Sequence, residues 1–142
     1  TLGAMAKTVL AQGIFHECRA LRSVTIDFTG GEITNISYLF NQCNRLEIVT
    51  GVIDLSRVTD TGSAFNGCVI LREVRLKGLK VDLVLFDCVN LSVESVKYLV
   101  DNLQQSTGKS ITLPRAWQQE HTAEAKSYAQ IAASKGFALT FR

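Results

Sequence analysis

The residues with the most chemistry open to them are four cysteines, Cys18, Cys43, Cys68 and Cys88. Four thiols can pair as disulfides, hold a tetrahedral zinc ion or stay reduced. Spacing bears on the choice. Each cysteine follows a large apolar residue (Phe15, Phe40, Phe65, Leu85) by three positions and precedes a leucine (Leu21, Leu46, Leu71, Leu91) by three. Equivalent residues of stacked parallel strands lie about 4.8 Å apart and point the same way, whereas a disulfide brings its Cβ atoms to about 3.8 Å. Four such rungs would spread thiolates over roughly 14 Å, too far for zinc–sulfur bonds of about 2.3 Å around one ion. The expectation is a ladder of reduced thiols, each a small buried hydrophobe, with no metal and no cofactor. This ladder leaves the redox compartment open.

The other candidate groups assemble into nothing catalytic. His16 and His121 lie in no nucleophile, metal or phosphate-binding motif and read as surface polar residues. Asp27, Asp54, Asp60, Asp82 and Asp87 are scattered without calcium-loop spacing and read as turn formers. Arg72, Arg75, Lys77 and Lys80 form a basic cluster, but Glu73 and Asp82 interrupt it and no aromatic residues interleave, so nucleic acid is not an expected partner. Asn35-Ile36-Ser37 and Asn90-Leu91-Ser92 match glycosylation sequons, which matter only in a eukaryotic secretory pathway. The expectation is a protein that is not an enzyme.

The cysteine spacing belongs to a longer pattern. Phe15-x-x-Cys18-x-x-Leu21-x-x-Val24 recurs as Phe40-x-x-Cys43-x-x-Leu46-x-x-Val49 and Phe65-x-x-Cys68-x-x-Leu71-x-x-Val74, each 25 residues after the last, and a degraded fourth copy starts 20 residues later at Leu85. A fixed period of this size marks units that bury their apolar residues only against neighbouring units. With 142 residues, 46% apolar and 20% charged content, the chain has the composition of one globular domain. Its 15 basic and 13 acidic residues are interspersed, so no strong pull toward nucleic acid or anionic membrane is encoded. No apolar run is long enough to cross a bilayer, and no membrane insertion is expected.

Within each repeat, Leu21-x-x-Val24-x-Ile26 and Leu71-x-x-Val74-x-Leu76 have the alternation of a strand, whereas Gly51 interrupts the second copy and predicts a bulge or bend near Val52 and Ile53. A second shared block, Ile33-Thr34-Asn35 and Val58-Thr59-Asp60, precedes the next phenylalanine. Residues 1–12 have helix-favouring composition but also fit the tail of a preceding repeat. The chain starts at Thr1 and is expected to be a processed product or a fragment.

These repeats, with Asp54-Leu55-Ser56-Arg57-Val58-Thr59-Asp60 and Ala64-Phe65-Asn66-Gly67-Cys68, resemble the BspA-like leucine-rich repeats of bacterial surface proteins. The resemblance runs from about Thr8 to Leu91. It implies an α/β fold built as a short right-handed leucine-rich-repeat solenoid with a parallel sheet on one face. It also implies a cell-surface or extracellular location and a role in protein binding or adhesion, toward a host or bacterial surface protein.

Beyond Leu91 the period ends. Ser92 and Glu94 open an amphipathic helix carrying Val93, Val96, Leu99, Val100 and Leu103; Ser110 to Leu113 reads as a strand; Thr122 caps a second helix stopped at Lys135-Gly136; and Phe137 to Phe141 alternates as a last strand. The chain thus divides into a repeat region, residues 1–91, and a helix-strand-helix-strand cap, residues 92–142. Outward positions of the repeat strands give one candidate partner-binding face: Ser23, Thr25 and Asp27; Ile48, Thr50 and Val52; Glu73, Arg75 and Lys77. This lane lacks aromatic residues, which argues against glycan reading. The alternative role is a purely structural end piece that terminates and displays a longer array.

Overall fold

Because each repeat carries only short stretches of alternating apolar and polar residues, its strands are brief. The structure, a computed structural model, describes residues 11–26, 28 and 32–142. The described elements are β1 (Ser23–Thr25), β2 (Ile48–Thr50), β3 (Ile53–Asp54), β4 (Leu76–Lys77), β5 (Leu83–Val84), α1 (Val93–Asp101), β6 (Lys109–Leu113), α2 (Arg115–Glu120), α3 (Thr122–Ser134) and β7 (Phe137–Phe141). The fold is mixed α/β, and every pairing between these strands is parallel, in three small sheets ordered β1-β2, β3-β4 and β5-β6-β7.

Neighbouring repeats meet in the register of the sequence period. Ser23, Val24 and Thr25 pair with Ile48, Val49 and Thr50, and single bridges join Ile48 to Glu73, Phe28 to Ile53 and Asn35 to Asp60. The signature phenylalanines stack in file, with Phe15 and Phe40 ring centroids 5.3 Å apart and Phe40 and Phe65 5.8 Å apart. Leu39, Phe40, Cys43 and Leu46, like Phe65, Cys68 and Leu71, are buried. The turns around each phenylalanine repeat too: left-handed backbone recurs at Gly13, Tyr38 and Ser63 and again at Glu17, Gln42 and Gly67. That geometry costs a non-glycine residue about 1–2 kcal/mol, so this turn is held by its surroundings rather than by local preference. Residues 1–10, for which helix and repeat tail were both open, lie outside the described residues. From Ala11 on the chain follows the repeat, with the Ala11 and Gly13 N–H groups donating to Asn35 and Ser37 carbonyls.

Gly51 accounts for a change of register. Its φ is +98°, and a Cβ there would come within 1.8 Å of the Ile26 carbonyl oxygen, so only glycine lets the two backbones approach this closely. The second repeat bends here. Ile53 then opposes Leu76, an offset of 23 residues where Ile48 and Glu73 are 25 apart. Leu76 therefore continues the inward file of Phe28 and Ile53, not that of Ile26.

The tail finishes what the repeats leave open. The Ser92 hydroxyl accepts the Ser95 N–H at 3.0 Å and caps α1. This helix takes the place of a next strand beside Glu73. The buried Ser95 hydroxyl accepts the Val74 N–H at 3.1 Å and donates to the Arg72 carbonyl at 3.1 Å, and the Ser92 N–H donates to the same carbonyl at 2.9 Å, so the start of α1 supplies the partners that a strand would have given. Asn102 and Gln104 serve the next stretch, through Gly78 N–H to Asn102 carbonyl and Gln104 N–H to Leu79 carbonyl. β6 then pairs with β5, and β7 with β6. The expected helix-strand-helix-strand order requires correction. A further helix, α2, follows Pro114, whose fixed φ suits a helix start. Trp117 on α2 is fully buried and donates its Nε1–H to the Leu91 carbonyl at 2.8 Å. Thr122 is the first residue of α3, with His121 at the cap position making no side-chain cap bond.

Two stability outcomes follow from this packing. Phe65→Ala, removing a ring from the middle of the buried file, should cost about 3–5 kcal/mol in urea unfolding, while Thr25→Ala on the exposed side should stay within about 0.5 kcal/mol of the parent. Ser95→Ala leaves the Val74 N–H without its partner under α1, while the Arg72 carbonyl keeps the Ser92 N–H, and should cost about 1–3 kcal/mol in the same measurement; an unchanged midpoint would mean water replaces the hydroxyl.

Candidate functional site

The thiols come first because their chemistry is the most constrained. All four cysteines are free, Cys43, Cys68 and Cys88 are buried, and Cys18 is partly so. They stand in file. The Cys43 thiol donates to the Phe15 carbonyl at 3.0 Å, Cys68 to the Phe40 carbonyl at 3.1 Å and Cys88 to the Phe65 carbonyl at 3.8 Å. Their role is therefore more than that of a small hydrophobe, because each thiol ties its repeat to the backbone of the one before. Burial, the main cause, pushes Cys43 up from 9.0 to about 11 and Cys68 up to about 12, with the thiol of the preceding repeat adding to the rise. Cys88 is raised in the same direction by the same cause. Thiols held protonated in this way are poor nucleophiles.

The predicted partner-binding face forms in two rows. Ser23, Ile48 and Glu73 stand side by side, and Thr25 and Thr50 are paired, with Arg75 lining the same hollow as Thr50. Ser23, Thr25, Thr50 and Arg75 are exposed, and Ile48 and Glu73 are half-buried. The third row does not form as expected. Lys77 sits opposite Asp54 rather than Val52, at 3.9 Å from its carboxylate, because the chain bends at Gly51 and the register shifts. Val52 is half-buried and its carbonyl accepts the Phe28 N–H. Asp27 lies outside the described residues.

The lane does acquire an aromatic side chain, which strand counting missed. Tyr98 of α1 comes under Arg75, with the guanidinium 5.9 Å from the ring centroid. Two open hollows share Glu73 and Arg75. One, of about 230 Å³, is lined by Ile48, Thr50 and Gly51 as well, and the other, of about 390 Å³, by Glu94, Ser95 and Tyr98. Beside the lane runs a row of charges at the repeat spacing, with Glu47 lying 3.8 Å from Arg22 and 4.0 Å from Arg72.

The structure disperses the remaining candidates. Of the basic cluster, Arg72 faces Glu47, Arg75 faces Tyr98 and Lys77 faces Asp54, while Lys80 lies apart in a hollow with Glu32, Thr34 and Arg57. Asp54 and Asp60 accept the N–H groups of Ser56 and Gly62, two residues on, as turn formers do. Asp87 accepts the Gly67 N–H, and Asp82 that of Ser110. His16 is exposed and meets the Tyr38 ring edge-on, and the His121 ring packs 4.9 Å from that of Trp117. Asn35 of the first sequon turns its side chain onto Ser37. Among the described residues no helix is long and apolar enough to cross a membrane. No family model matches the chain, and no curated protein or solved structure matches it.

The raised thiols set a pH dependence. An unfolded chain loses thiol protons near pH 9 while the folded one holds them to about pH 11 and 12 at Cys43 and Cys68, so the stabilisation is complete below pH 9 and is lost as pH rises through that window. Chemical unfolding from pH 8 to 11 should show a falling midpoint. At pH 8 an aromatic disulfide reagent should titrate the buried thiols only after denaturant is added.

Proposed function

We propose that this chain is a short right-handed leucine-rich-repeat solenoid that binds a protein partner through the outer face of its repeat strands. It is non-enzymatic and forms part of a bacterial surface or secreted protein. The solenoid reading is supported by the strand pairing at the sequence period, the file of Phe15, Phe40 and Phe65, and the thiol-to-carbonyl ladder. Its surface location rests on the resemblance of the repeats.

The observation that carries the binding reading is the in-register row Ser23-Ile48-Glu73 with the pair Thr25-Thr50 beside it, Arg75 lining the same hollow as Thr50 and Tyr98 continuing the surface onto α1. These side chains project from adjacent backbones, so the repeat can vary them without touching its interior. At the α1 end of this surface stand an arginine and a tyrosine, residue types enriched where proteins bind one another. A second reading, a structural end piece of a longer array, is favoured by the way Ser95 and α1 seal the third repeat. The two differ in what a surface change does.

Arg75→Glu and Tyr98→Ala are expected each to reduce capture of a surface-protein partner by about tenfold or more, with thermal melts unchanged. The comparison is made on immobilised protein exposed to host and bacterial surface extracts, with Lys126→Glu on α3 as a control. Equal capture by all three variants would favour the structural end piece.

A further inference from the structure

The tail seals the repeats and ends in an open edge of its own. β7 is the outermost strand of the β5-β6-β7 sheet, and β6 is its one strand partner among the described residues. Hydrogen bonds show which way its peptide groups point. Lys109 N–H donates to the Gly136 carbonyl, Arg142 N–H to the Leu113 carbonyl and Arg115 N–H to the Arg142 carbonyl. Backbone groups facing a neighbour alternate with those facing away. Phe137, Leu139 and Phe141 therefore turn their N–H and C=O groups outward, and among the described residues no hydrogen bond reaches them.

Natural edge strands are blunted by lysine, proline, a bulge or short length. Phe137-Ala138-Leu139-Thr140-Phe141 has none of the first three and, with β6, is the longest strand described. Its apolar side is also incompletely covered. Phe137 is 1% exposed, but Leu139 and Phe141, on the same side, are only partly buried against the core. An open hollow of about 390 Å³ beside Phe141 is floored by Ala125 and Ala129 of α3.

The strand's own sequence points to what would cover it. Reversed about Leu139, the residues read Phe, Thr, Leu, Ala, Phe. An antiparallel partner of the same sequence would set Phe137 against Phe141, Leu139 against Leu139 and Ala138 against Thr140, so apolar meets apolar and small meets small along the whole pairing. We propose that a second copy of this chain pairs with β7 in this way, giving a two-fold symmetric dimer that joins two β5-β6-β7 sheets into one. A two-fold contact of this kind uses the same patch on both partners and closes on itself, which an edge pairing in the parallel sense does not do. A single edge pairing buries little area, so the dimer is weak and concentration-dependent. This inference is independent of the binding face, which lies on other elements.

The test uses the charge pattern of the exposed side. Ala138 and Thr140 point away from the core and would face each other across the two-fold axis in a pair where side chains approach closely. Sedimentation equilibrium of the whole chain, carried up to about 1 mM, should show a monomer–dimer equilibrium. Ala138→Glu with Thr140→Glu places like charges opposite each other and should weaken association about tenfold, whereas Ala138→Glu with Thr140→Lys makes each pair complementary and should restore it. Thr140 also bonds the Thr112 hydroxyl at 3.0 Å, so melts of both variants are compared with the parent. A parent that stays monomeric at the highest concentration overturns the proposal. So does a dimer that the two variants form equally well.

Discussion

The structure depends on parallel stacking, in which a repeat's backbone is satisfied mainly by its neighbours. Phe15 N–H donates to the Leu39 carbonyl, Phe40 N–H to the Ala64 carbonyl, and the thiols of Cys43 and Cys68 reach back to the phenylalanine carbonyls before them. No layer is complete alone, because an unpaired buried peptide group costs about as much as the hydrogen bond it lacks. Length, capping and the choice of side chains at the ends all follow from this. Most of the tail's unusual features are answers to it, from a buried serine under α1 to a tryptophan donating to the Leu91 carbonyl.

The same constraint separates interior from exterior. Inward positions must match the layer above and below, which is why phenylalanine, cysteine and leucine recur. Outward positions touch solvent and are free to differ, and they do: Ser23, Ile48 and Glu73 share one register position and no chemistry. Variation at a fixed geometric position is what a recognition surface requires. The freedom has a limit at Gly51, where two backbones come so close that one row of the face is lost and Lys77 turns to Asp54.

Much of this was legible in the sequence. The period placed the file of phenylalanines, the reduced thiols, the row Ser23-Ile48-Glu73 and the pair Thr25-Thr50, because equal spacing along the chain becomes equal position in space when layers stack in register. Ser92 was legible as a cap, and Gly51 as a bend. Three features were not. Strand counting carried Lys77 into line with Val52 because it assumed no residues were lost between Glu73 and Leu76. Alpha-helix α2 is six residues long and shows no apolar period of its own. The place of Tyr98 beside Arg75 is the third, since helical periodicity says which side of α1 is buried but not what stands beside it.

The sequence by itself determined the repeating interior, since that rests on side-chain volume and polarity recurring at a constant interval. Only the tertiary structure decided how the layers end, where the register slips and which distant side chains share a surface. Those outcomes turn on backbone groups that look alike in every sequence and differ only in whether a neighbour is present. Ser95 becomes a substitute strand partner, and Arg75 acquires an aromatic neighbour, only when α1 comes to lie against the third repeat.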